Sequence, residues 1–111
     1  MLVVPVMHIA QIYDIEEVVA GALMTTVARI AKALKKACAA DGVSVRQNNE
    51  TNGGQDVFHV HFHVIPRFAA DGFDTGDARF PFSAVEVPLS ERVKQAEVLR
   101  DALASTVESL P

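Results

Sequence analysis

The chain has 111 residues, half of them hydrophobic, which suits a single compact domain over residues 1–111 with one modest core. Fourteen Asp and Glu outnumber ten Lys and Arg, so the formal charge of −4 offers no electrostatic footprint for a polynucleotide, although a mononucleotide needs only a local cluster of donors. The single cysteine, Cys38, cannot close an internal disulfide, no charged-then-apolar leader opens the sequence, and its apolar runs fall short of the roughly 20 residues that span a bilayer; a cytoplasmic protein away from membranes is expected.

Residues 1–5 form a short apolar run of β character stopped by Pro5, and His8 follows just past it, where a strand end presents a side chain well. From Asp14 the period becomes helical. Ile15, Val18, Val19, Ala22, Leu23, Val27, Ile30, Ala31, Leu34 and Cys38 predict one long helix, with Asp14 as N-cap, Glu17 three residues on and Gly42 as the C-terminal cap. Arg29, Lys32, Lys35 and Lys36 occupy its other face and read as solvated, the last three complementing the helix dipole. Residues 43–46 alternate as a strand does and run into Gln47-Asn48-Asn49-Glu50-Thr51-Asn52-Gly53-Gly54, which is turn chemistry throughout. A hairpin with the next strand is expected, its loop hanging at the edge of that strand's polar face. Beyond Arg67, the acidic and glycine-rich residues 71–77 lack the alternate aspartates and distal glutamate of a calcium loop and read as solvated surface. Residues 85–88 read as a short extended piece. Ser90 is the expected cap of a final helix, in which Val93, Ala96, Leu99, Leu103 and Val107 recur at helical intervals.

The chemistry concentrates between these elements. Three of the four histidines alternate in Phe58-His59-Val60-His61-Phe62-His63-Val64-Ile65-Pro66. In an extended strand, side chains at i, i+2 and i+4 share a face, so His59, His61 and His63 line one side while Val60, Phe62 and Val64 form a core stripe on the other. Three readings compete. Structural histidines are the plainest, but a buried row of three polar rings needs many partners. A metal site is the second: His-x-His pairs commonly supply two imidazole ligands, and because the outer pair lies about 13 to 14 Å apart at ~3.4 Å per residue, an ion would take two of the three and recruit carboxylates or His8. Covalent catalysis is the third. A neutral imidazole attacks an electrophile while its neighbours fix the tautomer, stabilise charge and shuttle a proton, and a phosphoryl centre suits several such donors. Amides of the Asn- and Gly-rich loop, Gly54 among them, are available to the same anion.

The run His59-Val60-His61-Phe62-His63-Val64-Ile65 resembles the hallmark of the histidine-triad (HIT) nucleotide hydrolases and transferases. The resemblance extends to Leu2-Val3-Val4-Pro5-Val6-Met7-His8, to the loop Asn48-Asn49-Glu50-Thr51-Asn52-Gly53-Gly54-Gln55, and to Val64-Ile65-Pro66-Arg67; together these span residues 2–67 in order. It implies an α+β fold, an antiparallel HIT-like sheet with one long helix and a C-terminal helix, and a homodimer. It further implies that His61 attacks the α-phosphate of a purine nucleotide conjugate, while His59, His63 and His8 orient it and bind phosphate oxygens, and that Asn48 and Gln55 contact the substrate. No metal and no other cofactor is required by that scheme. The activity it implies is nucleoside phosphoramidase chemistry, with dinucleoside polyphosphate hydrolysis or non-catalytic nucleotide binding as alternatives. Two departures stand out. Members of the family usually carry a segment before the Leu-Val-Val-Pro element that supplies nucleoside contacts, so this chain reads as short on that side. Asp56 stands where phosphoramidase members have serine or threonine, and a carboxylate there opposes a phosphate or holds a histidine in its charged form.

Overall fold

Residues 1–69, 71 and 87–107 are described by the computed structural model. In chain order they form β1 (Leu2–Val3), α1 (Glu17–Ala37), β2 (Gly42–Arg46), β3 (Phe62–Arg67) and α2 (Leu89–Val107), with short 3-10 turns at Ile12–Asp14 and Thr51–Gly53. The strands make one antiparallel sheet in the order β1-β3-β2, which is the expected α+β arrangement with a long helix and a C-terminal helix. β2 and β3 are the expected hairpin, in which Val45 faces Val64 and Arg46 faces His63. On the other side of β3, Leu2 faces His63 and Val3 faces Phe62. Met1 extends this pairing: its ammonium donates to the Val64 carbonyl at 2.8 Å, and the Val64 amide donates back to the Met1 carbonyl at 2.8 Å.

Two periodicities build the core. Val60, Phe62 and Val64 project from one face of the histidine segment and pack with Val3 against Leu23, Val27, Ile30 and Leu34 of α1. Leu99 and Leu103 bring α2 onto the edge of this cluster. At about 25 cal/mol per Å² of apolar area removed from water, such side chains each contribute roughly 1.5–3 kcal/mol, and this burial fixes the face on which the histidines are left.

Several local expectations are corrected. The ladder of β3 starts at Phe62, so His59 and His61 precede it. β1 stops at Val3, and Pro5 has no amide to continue a ladder. The alternation survives nevertheless, with Val60, Phe62 and Val64 buried and the three histidines partly exposed. A bond of 2.7 Å from the Val60 amide to the Ile9 carbonyl keeps that stretch extended. Asp14 closes the first 3-10 turn instead of capping α1, whose N-cap is Glu16 with no side-chain cap bond. The helix leaves through Ala39 in the left-handed region at φ 49°, and Gly42 opens β2. The buried stripe of α1 is Leu23, Val27, Ile30, Ala33 and Leu34. Val18 is 83% exposed because nine residues are two and a half turns, which sets it opposite Val27. Ala22 and Cys38 are exposed as well. Ser90 lies inside α2, whose first turn is closed by the Arg92 amide donating to the Pro88 carbonyl at 3.1 Å. Of the expected extended piece at 85–88, Val87 and Pro88 carry no regular structure, and the rest lies outside the described residues, as does the 71–77 loop beyond Asp71. Among the described residues no helix is long and apolar enough to cross a membrane.

Candidate active site

The histidines meet through main-chain carbonyls as much as through one another. His61 directs Nδ1 at the carbonyl of His59, 2.7 Å away. A carbonyl only accepts, so the neutral ring of His61 carries its proton on Nδ1 and its lone pair on Nε2. His59 is fixed from the other end, its Nε2 lying 2.9 Å from the Pro5 carbonyl. That leaves the neutral His59 ring an acceptor at Nδ1, which lies 3.3 Å from Nδ1 of His8. His8 is therefore the donor in this pair, and its Nε2 is the acceptor. The chain of tautomers follows from two carbonyls that cannot donate.

His63 stands edge-on to His61, with ring centroids 5.1 Å apart and an interplanar angle of 76°. Burial depresses its pKa most, helped by the adjacent His61, the Met1 ammonium and Arg46, while Asp56 pulls it the other way. The carboxylate of Asp56 is exposed and within electrostatic reach of His63. A shallow depression of about 250 Å³, lined by Leu2, Val4, Val57, His59 and His61, opens beside the row. A larger groove of about 680 Å³ runs between α1, α2 and the end of β3, and no histidine lines it. The volume is greater there, but the chemistry is at the smaller depression.

The loop between β2 and β3 is held by side-chain amides. Asn48 donates from Nδ2 to the Gly54 carbonyl at 3.2 Å, across a turn that Gly54 makes at φ +84°. Gln55 is 3% exposed, and its side chain is fully engaged. Its Nε2 donates to the carbonyls of Ala10 at 2.8 Å and Val57 at 3.0 Å, and its Oε1 accepts the Glu50 amide at 2.7 Å and Nε2 of Gln11 at 3.5 Å. Sequence reasoning gave Gln55 a substrate contact; its observed contacts are to the loop and to the segment following His8. It missed the partners Gln11, Gln47, Asn49 and Glu50. Asn49 accepts the Ile12 amide at 2.8 Å and exchanges bonds with Gln47, 2.9 Å to its Oδ1 and 2.6 Å from its Nδ2. Tyr13 hydrogen-bonds Glu50, which raises the phenol above its ordinary pKa. Glu50 itself stands at φ 60°, strain that a non-glycine residue bears only where its surroundings dictate it. The density of Asn and Gln in residues 47–55 was the available signal for this clamp. Its effect is to lock the segment carrying His8 to the loop carrying Asn48. Among the described residues no group of three or more His, Cys, Asp or Glu side chains is arranged to hold a metal ion.

The α+β sheet with a histidine row on its open face defines a class, and comparison with known proteins gives it a family. The model of the HIT domain matches residues 1–70, and the chain belongs to that family. It is similar to an uncharacterised HIT-like protein of Saccharolobus solfataricus, 43% identical over 70 residues, 63% of this chain and 50% of that protein. It is 41% identical over 66 residues to the adenosine 5′-monophosphoramidase of Saccharomyces cerevisiae, covering 60% of this chain and 39% of the relative. It is 33% identical over 70 residues to an adenylylsulfatase of Arabidopsis thaliana, covering 63% and 36%. Among solved structures, a Hit-like protein from Bartonella henselae superposes with a TM-score of 0.76 at 32% identity, over 91% of this chain and 68% of that one. A zinc-bound histidine triad family protein from Mycobacterium smegmatis gives 0.76 at 28% identity, over 98% and 71%. The chain spans about half the length of the curated relatives it matches.

Proposed function

We propose that this chain hydrolyses nucleotide conjugates, nucleoside phosphoramidates foremost, through a nucleotidyl intermediate on His61. The observation that carries the reading is the 2.7 Å contact between Nδ1 of His61 and the His59 carbonyl, which leaves Nε2 with a lone pair directed away from the backbone. That lone pair attacks the α-phosphorus, and the P–N bond to the leaving amine breaks with its electrons on nitrogen. A proton from the site neutralises the amine. In this reading His63, edge-on to His61, passes it, and the environment that lowers its pKa makes its protonated form the stronger acid. Water then attacks phosphorus and gives its proton back to His63, the bond to His61 breaks, and nucleoside monophosphate leaves. His59 and His8 hold the row in place, Asn48 and Gly54 face the phosphate, and Gln55 serves by bracing the loop. The names of the yeast and plant relatives, a monophosphoramidase and an adenylylsulfatase, support a hydrolase acting at an α-phosphate. The same reading takes residues 1–111 as one cytoplasmic domain that works without a cofactor, as a homodimer, the assembly that the family resemblance implies.

The test is mass spectrometry of the protein mixed with AMP–amine conjugates, read for a nucleotidyl adduct that disappears in His61→Ala. This substitution leaves the buried face of the strand untouched, so the fold should persist while turnover drops by far more than the roughly 10²–10⁴ expected of an acid/base helper. Retention of a tenth of wild-type turnover would sink the covalent proposal.

A further inference from the structure

The two strands that flank β3 dress the histidine face differently. On the β1 side, the register partner of His63 is Leu2, which with Val4 and Val57 walls the depression beside His59 and His61. On the β2 side, the register partner of His63 is Arg46. Directly opposed residues of an antiparallel pair share a face with Cβ atoms about 4.5–5.5 Å apart, so the Arg46 side chain issues from the histidine face one strand over. Its charge is felt at His63, where it opposes protonation, and the carboxylate of Asp56 counters it there. The side chains therefore differ across the sheet, apolar on the β1 flank and with a guanidinium on the β2 flank, while the Met1 ammonium and the Asp56 carboxylate each weigh more at His63 than Arg46 does.

A nucleotide conjugate has two arms that diverge from the phosphorus. With phosphorus at Nε2 of His61, the nucleoside fits the apolar flank, and the leaving group extends across β3 toward β2. A guanidinium there presents a planar fork that matches a carboxylate, sulfate or phosphate and gains nothing from a neutral group. We infer that Arg46 is a specificity-determining residue, selecting conjugates whose leaving group carries an anion over those whose leaving group is neutral. The inference rests on the hydrolase reading above and narrows its substrate class.

A matched pair of substrates isolates the effect: AMP joined through nitrogen to glycine, and AMP joined in the same way to glycinamide. The linkage is the same and one carboxylate differs. The wild-type protein should favour the glycine conjugate, and the preference should shrink as salt is raised, since an exposed pairing is screened. Arg46→Gln should lower kcat/KM for the glycine conjugate at least tenfold and for the glycinamide conjugate less than threefold, and Arg46→Lys should restore part of the difference. Equal losses on both substrates would make Arg46 a structural residue, and no loss on either would remove it from the site; both results overturn the inference. Should the wild type cleave neither conjugate, the hydrolase reading falls by itself. Calorimetric binding of the two uncleaved conjugates to wild type and Arg46→Gln then decides: selective weakening of the glycine conjugate sustains the role of Arg46, and equal binding overturns it.

Discussion

Protonation of His63 links the site to the stability of the fold. Burial and the neighbouring His61 lower its pKa in the folded chain below the value of the unfolded one, so the unfolded state binds the proton more readily. The sign follows from that difference. Stability from this group is fully present above the unfolded value of about 6.5 and is lost as pH falls through the lower folded value. Urea midpoints measured from pH 7.5 down to 5.5 should therefore fall, and His63→Asn should flatten the part of the slope that His63 causes. An unchanged slope in the variant would show that His63 does not titrate differently in the two states. The same ring shows what the sequence discloses at residue scale. That His59, His61 and His63 share a face follows from alternation alone, whereas the protons are assigned by the carbonyls of His59 and Pro5, and no pattern of side chains predicts which carbonyl lies within 3 Å.

At the scale of elements, the loop between β2 and β3 carries the groups proposed to face the phosphate, and Gly54 is its stiffest requirement. Its φ of +84° lies in the left-handed region, and a Cβ added there would stand 3.4 Å from Nδ2 of Asn48. Gly54→Ala should cost about 1–2 kcal/mol from the left-handed backbone alone, since the added Cβ meets Asn48 only at ordinary contact distance. Gly53, where an added Cβ would meet nothing within 4 Å, is the control, and its alanine variant should unfold at a urea midpoint nearer that of wild type. Equal midpoints for the two variants would show that the turn relaxes freely. Periodicity disclosed the elements themselves: the hairpin, the long helix and the final helix all form. Their ends were less legible. Asp14 has the chemistry of a cap, but a 3-10 turn whose Asp14 and Ile12 amides bond the Gln11 carbonyl and Asn49 takes it out of that role. Ala39 takes the left-handed exit that glycine usually makes, with the Lys35 ammonium on the Ala40 and Asp41 carbonyls holding the turn. Tertiary hydrogen bonds decided both ends, and these are invisible to a local window.

For the molecule as a whole, the division between a braced polar flank and a bare apolar one sets how a nucleotide would be read. The side proposed to take the phosphate is built from histidines and from a loop cross-linked by Gln11, Gln47, Asn49 and Gln55. The depression on the other side is lined, among the described residues, by Leu2, Val4 and Val57 together with His59 and His61, so apart from two imidazoles the walls these residues form offer no side-chain donor or acceptor to a purine edge. Apolar walls accept any flat ring, and discrimination between bases needs hydrogen-bonding groups that are left unpaired by the wrong one. AMP and GMP should therefore bind this chain with affinities that differ by less than about 1.4 kcal/mol, a factor of ten in Kd. Removing the base should matter less than removing the phosphate, so ribose 5-phosphate should retain more of the affinity of AMP than adenosine does. Calorimetric titration of the four ligands into the 111-residue chain measures both comparisons. A preference for one purine beyond tenfold would show that polar groups outside this lining reach the base, from residues beyond Arg67 or from the second subunit of the proposed dimer.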